Sequence, residues 1–196
     1  MRKIILWMSV SPDGFFAGPD GELDWQRVDE ELHQHFNDEL RRMSAFLDGR
    51  RTYELMAAFW PTADQDPGSS APMREFAGIW RDMPKIVYSR TLQRADWNST
   101  VVREVVPEEV TALKAQPGGD MVVGGADLAA TFQRLGLIDE YRIYVHPAVI
   151  GRGKPLFSSD TRLDLRLVES RAFGNGVVML RYVDEPARPG TGPADG

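Results

Sequence analysis

A chain of 196 residues with 29 acidic against 23 basic side chains, net charge −6, can bury one substantial core, but its sign is wrong for a nucleic-acid binder, whose footprint is basic. Hydrophobic residues at 42% and charged residues at 27% are ordinary for a globular protein. The absence of cysteine excludes disulfides, thiolate metal sites and a cysteine nucleophile, and no apolar run approaches the ~18 residues of a membrane span.

Lys3 to Ser9 reads as a short buried strand, nearly continuous in apolar residues. It follows the N-terminus with no signal-peptide pattern, so a reducing cytoplasm is the expected compartment. Pro12-Asp13-Gly14 and Gly18-Pro19-Asp20-Gly21 mark a long irregular loop. From Trp25 to Arg42 the pattern is helical. Val28, Leu32, Phe36, Leu40 and Met43 recur at i+4 and i+3, with Asp29, Glu30, Glu31, Asp38 and Glu39 on the solvent side. His33 and His35 diverge at this spacing, so they make a poor metal pair and no metal site is expected.

A second buried strand over 44–48 runs into Gly49-Arg50-Arg51-Thr52, and Glu54 to Phe59 forms a short helix closed by Pro61. Residues 62–72 have loop composition, Met73 to Arg81 is helical, and Pro84 to Tyr88 is a third strand ending at Ser89-Arg90-Thr91. Thr100 to Val105 is a further strand, and Pro107 opens a helix in the favoured first-turn position. Asp120 to Val123 is the strand before Gly124-Gly125, and Leu128 to Leu135 the helix after it. Tyr141 to Ile150 alternates as a strand, in which His146 is expected to be structural. Residues 164–173 and 177–183, joined by Gly174-Asn175-Gly176, form a hairpin. From Glu185 to Gly196 the composition is that of a disordered Pro/Gly-rich tail, which leaves 1–184 as one domain.

Alternation of strand and helix over the first two-thirds requires a mostly parallel sheet, to which the last third adds antiparallel strands at one edge. The expected class is therefore α/β with a mixed central sheet. Its distinguishing features are two glycine-led turns, Gly49-Arg50-Arg51-Thr52 and Gly124-Gly125-Ala126-Asp127-Leu128, each placed between a strand and a helix. Such junctions aim backbone N–H groups and helix N-termini at an anion, and Arg50 and Arg51 add positive charge beside the first. Neither matches G-x-G-x-x-G or a Walker pattern. They predict a cofactor with several phosphates across the carboxyl ends of the sheet.

These residues, in this order, resemble the dihydrofolate reductase-like superfamily. Within it they resemble stand-alone proteins similar to the reductase domain of bacterial bifunctional riboflavin-biosynthesis deaminase–reductases. The resemblance rests on Ser9 to Phe15, Leu47 to Glu54, Val122 to Leu128, Leu137 to Glu140, and His146 to Phe157, and spans about residues 2–184. It implies a three-layer fold, NADPH as cofactor and hydride transfer to a small planar heterocycle, carbonyl or imine of pteridine or pyrimidine type. It further implies that Gly49, Arg50, Arg51 and Thr52 meet the adenosine side, that Ser89, Arg90 and Thr91 meet the 2′-phosphate, and that Gly124, Gly125, Ala126, Asp127 and Leu128 cradle the pyrophosphate. Riboflavin-pathway reductases carry Glu before the glycine pair, where this chain has Val123, and folate reductases carry a carboxylate on the first helix, near Glu30, Glu31 and His33 here.

Asp13 is the candidate substrate-contacting or proton-relaying carboxylate, with Ser11, Phe15, Trp25, Glu31, Phe59 and Trp60 as candidates for the substrate pocket. Two alternatives stay open: a nucleotide- or ligand-binding protein that keeps the fold without turnover, and a flavin in place of the nicotinamide. The expected partner is a small molecule. The apolar strands after Tyr141 offer a surface for a homodimer.

Overall fold

A computed structural model describes residues 1–157 and 161–185; the predicted tail beyond Glu185 lies outside the described residues. The central sheet has eight strands: β1 (Ile4–Val10), β3 (Met43–Gly49), β4 (Lys85–Tyr88), β5 (Ser99–Val102), β6 (Asp120–Gly124), β7 (Glu140–Val145), β9 (Leu165–Ala172) and β10 (Val178–Asp184). Their spatial order is β5-β4-β3-β6-β1-β7-β10-β9, and β2 (Phe15–Ala17) pairs with β8 (Lys154–Pro155) in a small separate sheet. The pairings from β5 to β7 are parallel, and β10 and β9 add antiparallel strands.

Helices α1 (Glu30–Leu40), α2 (Arg50–Phe59) and α3 (Ala71–Asp82) cover one face, over Phe46, Val87 and Val122 and over Tyr144 and Met179. On the other face lie α4 (Pro107–Ala115) and α5 (Ala126–Arg134), over Ile4, Leu6, Leu47, Met121 and Val123. A central strand covered on both faces has no solvent side. Ile4, Ile5 and Leu6 are accordingly all at most 1% exposed, and the apolar run needs no alternation. Among the described residues no helix is long and apolar enough to cross a membrane.

Several boundaries differ from the sequence expectation for identifiable reasons. The helix expected from Trp25 starts at Glu30, because the Asp29 carboxylate accepts from the Leu32 amide at 3.0 Å and caps it. The helix expected from Glu54 starts at Arg50, directly on Gly49. Residues 62–72 are not all loop: a 3-10 turn spans Trp60–Gln65, and the Ser70 hydroxyl caps α3. The loop after β1 contains β2, and β5 stops at Val102. Strand β7 ends at Val145, five residues early, and is buried on both faces rather than alternating.

Candidate active site

Adjacent parallel strands bring the glycine turns together. Strand β3 lies between β4 and β6, with Asp48 opposite Gly124 and Gly49 opposite Tyr88. Residues 49–52, 89–91 and 124–128 therefore leave the carboxyl ends of three neighbouring strands. The two glycine turns also touch. Gly125 has φ +81°, and a Cβ there would run into the Thr52 hydroxyl, while a Cβ on Gly49 would stand 3.8 Å from the Leu128 side chain. Glycine at 125 thus meets both a left-handed backbone and a close approach.

Helix capping separates these junctions from others. Asp29 and Ser70 cap α1 and α3 through their side chains, whereas α2 and α5 begin on Gly49 and Gly125 with no side-chain cap. Their first-turn amides are left for solvent or a ligand. Helix α4 also lacks a side-chain cap, but Pro107 removes one amide and Glu108 and Glu109 occupy its first turn. At α2 the first turn carries Arg50 and Arg51 instead, both exposed, with Arg50 3.6 Å from Glu54. Arginines at a positive helix end repel the dipole unless an anion joins them.

The remaining cradle candidates fall into two groups. Arg90 and Thr91 are exposed after β4. Ser89 is 8% exposed, and its hydroxyl accepts from the Thr91 and Leu92 amides at 3.3 and 2.9 Å, shaping the turn. Arg103, which nothing in the sequence singled out, donates to the Ser89 and Leu92 carbonyls at 3.1 and 2.6 Å and pins the same loop. In the α5 turn Leu128 is a core residue, so only its backbone is available, and Asp127 is exposed.

A cavity of about 480 Å³ opens beside these turns. Thr52 and Gly124 line it, so the cradle and the cavity are continuous. Its walls are chiefly Trp7 from β1, Phe36 from α1, Trp60 after α2, and Phe76 and Trp80 from α3. Of the substrate-pocket candidates, Trp60 alone is among these lining residues. Phe59 packs edge-on against Trp60 with ring centroids 4.9 Å apart, but is 50% exposed. Trp25 packs edge-on against His146, Glu31 accepts from the Gly174 amide at 3.2 Å, Phe15 belongs to β2, and the Ser11 hydroxyl bonds the Phe15 backbone.

Asp13 has a different setting from the one expected of a proton donor. Its exposed carboxylate accepts from the Gly151 and Ile150 amides at 2.8 and 3.4 Å, clamping the first loop to the one after β7. The Ser11 hydroxyl and then these amides hold its carboxyl below the usual carboxylate range. It is not among the residues lining the cavity.

Asp48, unmarked in the sequence reading, is the acid that lines the cavity. It follows Phe46 on the same face of β3, where strand periodicity would otherwise place an apolar side chain, and it is 4% exposed. No described residue gives it a hydrogen bond or ion pair. Burial pushes its carboxyl up to about 7, against the opposing charge of Lys85. Lys85 itself is 1% exposed, donates to the Met83 and Trp97 carbonyls at 2.8 Å each and stands over the Trp80 ring, with burial drawing it down to about 8. Trp80, another lining residue, has a buried indole N–H with no hydrogen-bond partner among the described residues.

The histidines divide as their spacing requires. His33 lies against Trp60 and Phe76 and lines the cavity, where burial lowers its pKa. His35 faces away, 3.1 Å from the Tyr144 hydroxyl. His146 is fully buried. Its Nδ1 accepts from the Arg27 amide, its Nε2 meets the Ser9 hydroxyl, and burial pushes it down to about 4, so it is a neutral structural brace.

Residues 2–179 match the RibD C-terminal domain family. The chain belongs to that family. It is 38% identical over 183 residues to the Bacillus subtilis (strain 168) protein YyaP, covering 92% of this chain and 94% of that one. It is 30% identical over 186 residues to YwjB of the same organism, covering 93% and 98%. Among solved structures, a putative riboflavin biosynthesis protein from Shewanella sp. PV-4 superposes with TM-score 0.71 at 20% identity, covering 94% of this chain and 99% of that one. Dihydrofolate reductase from Enterococcus faecalis, complexed with NADP(H) and RAB-propyl, superposes at 0.62 with 14% identity, covering 94% and 97%. The mixed, mostly parallel sheet flanked by helices is therefore of the dihydrofolate reductase-like type.

Proposed function

We propose that the protein is an NADPH-dependent reductase of a small planar substrate. The observation that carries this reading is the convergence of three strand-end turns, two of them uncapped helix starts, beside an aromatic-walled cavity that holds a buried acid. The residues fit the dinucleotide. Gly49 to Thr52 supply amides and two guanidinium forks on the adenosine side, Arg90 and Thr91 suit the 2′-phosphate, and the backbone of Gly124 to Leu128 suits the pyrophosphate. When bound, the reduced dinucleotide supplies a hydride. Trp7, Phe36, Trp60, Phe76 and Trp80 orient a flat ring and keep water away from it. Asp48 holds a proton there near neutral pH, whereas Asp13 is ionised and occupied, so the proton role belongs to Asp48. Strand β9 is exposed along nearly its whole length, with Leu167 and Val168 uncovered, which supports a homodimer through these last strands.

The test begins with titration by NADPH, followed by thermal shift. Saturable stabilisation below millimolar cofactor is expected, and a folded protein that shows no shift at millimolar concentration would overturn the reading. Loss of the reduced-nicotinamide absorbance with planar imines or pyrimidines is then expected. Tight NADPH binding without any oxidation across such a panel would instead favour the non-catalytic ligand-binding alternative.

A further inference from the structure

The cavity residues define a narrower ligand class than the fold does. Among the described residues its lining contains no lysine and no arginine, and Asp48 and His33 are its ionisable groups. A phosphorylated substrate would bring a dianion into an aromatic enclosure with an acid already in it and no cation to receive it, and both desolvation and like charge oppose that. A neutral, purely hydrocarbon ring would leave the buried Asp48 carboxyl without a partner. A flat ring bearing a basic nitrogen satisfies both constraints. Its nitrogen, protonated or able to accept the Asp48 proton, pairs with the carboxylate in a low-dielectric setting, and its faces pack on Trp7, Trp60 and Phe76.

We infer that the cavity binds a phosphate-free, planar, weakly basic nitrogen compound, and that Asp48, buried on β3 between the two glycine turns, selects it by charge. This rests on the reductase reading for the use of the site but on the cavity alone for the ligand. The groups packed around the cavity bear on the pH behaviour of Asp48: Lys85 from β4 is the charge that acts on it and His33 from α1 is the other titratable lining group, whereas Val122 and Gly124 of β6, Thr52 and Met56 of α2, and Phe76 and Trp80 of α3 carry no charge.

Three probes of one shape and different charge test it: benzamidine, benzamide and benzoate, titrated calorimetrically into the full chain, with NADPH binding measured on the same preparation. Benzamidine is expected to bind at least about tenfold more tightly than benzamide, and benzoate more weakly than either. Asp48→Asn is expected to remove that preference. Benzamidine affinity is expected to rise about tenfold per pH unit from pH 5 to 6 and to level off above 7, a dependence that Asp48→Asn abolishes. Benzoate binding as tightly as benzamidine, a preference that survives Asp48→Asn, or no binding by any probe would overturn the proposal. The charge series on the unaltered protein decides the matter even if the variant does not fold. The parallel NADPH titration separates this failure from failure of the reductase reading.

Discussion

His33, Phe36 and Leu40 on one side of α1 line the 480 Å³ cavity, whereas His35 and Glu39 on its other side line a smaller one of about 280 Å³, together with Arg42, Arg142, Glu169 and Arg181. The second cavity is crowded with charge, yet almost all of it is matched. Glu140, 2% exposed on the neighbouring strand, accepts from Arg142 at 2.8 Å and from Lys3 at 3.3 Å. Arg142 reaches Glu39 at 2.5 Å, and Arg181 reaches Glu169 at 3.0 Å. Burial alone would raise the Glu140 carboxyl, but the Arg142 bond and charge, with Lys3 and Arg181, hold it below its ordinary value. Asp48 is buried as deeply and has no such partner, so its carboxyl moves the other way. A buried charge surrounded by partners belongs to the architecture, whereas one facing an open, aromatic space is available to a ligand.

The largest effect expected from this contrast lies on the matched side. Arg142→Ala takes from the buried Glu140 its closest cation, from the half-buried Glu39 the nearer of its two arginines and from Trp7 the guanidinium over its ring, and urea denaturation should show a loss of about 3–5 kcal/mol. A loss under about 1 kcal/mol would mean that the network is not supporting the sheet, and the distinction between the cavities would collapse.

On the unmatched side the sign reverses. The folded state keeps the Asp48 proton up to about pH 7, whereas an unfolded aspartate gives it up near pH 4, so the cost of ionising Asp48 is absent at low pH and grows as pH rises through that window. Asp48→Asn should therefore stabilise the chain by roughly 2–4 kcal/mol at pH 8 and change it little at pH 4. The difference between the two stability–pH curves reads out this residue, while His33 and Lys85 titrate in both proteins. A variant less stable than the parent at pH 8 would show that Asp48 has a partner in the folded chain.

The smallest expected effect concerns the cradle beside the cavity. Arg50→Ala and Arg90→Ala should weaken NADPH by about tenfold and NADH by no more than about twofold, measured by fluorescence titration, because one phosphate distinguishes the two cofactors. Equal losses for both would remove either residue from the 2′-phosphate.

The fold was legible because its signals are local and strong. Apolar runs such as Lys3 to Ser9 announce strands with both faces covered, and glycines at 49 and 124–125 announce junctions. Helix starts were less legible, because Asp29 and Glu30 are both acidic and only the Asp29 bond to the Leu32 amide shows where the helix begins. Asp13 and Asp48 illustrate the limit at the site. Both precede a glycine, but one is engaged by the Gly151 amide from more than a hundred residues away and the other is enclosed by residues of five elements. Phe46 two residues before Asp48 was a usable signal, since period-two alternation places the acid on a buried face.

Taken by itself, the sequence determined the order of the eight strands of the central sheet and of the five helices, the parallel-to-antiparallel change along the sheet and the glycine turns, because hydrophobic periodicity and backbone freedom are properties of neighbouring residues. Tertiary structure decided which turns meet, through the β4-β3-β6 order, and which carboxyl faces the cavity. Burial and partnership are set by residues distant in the chain, and those two quantities separate the acid that braces a loop from the acid that waits for a ligand.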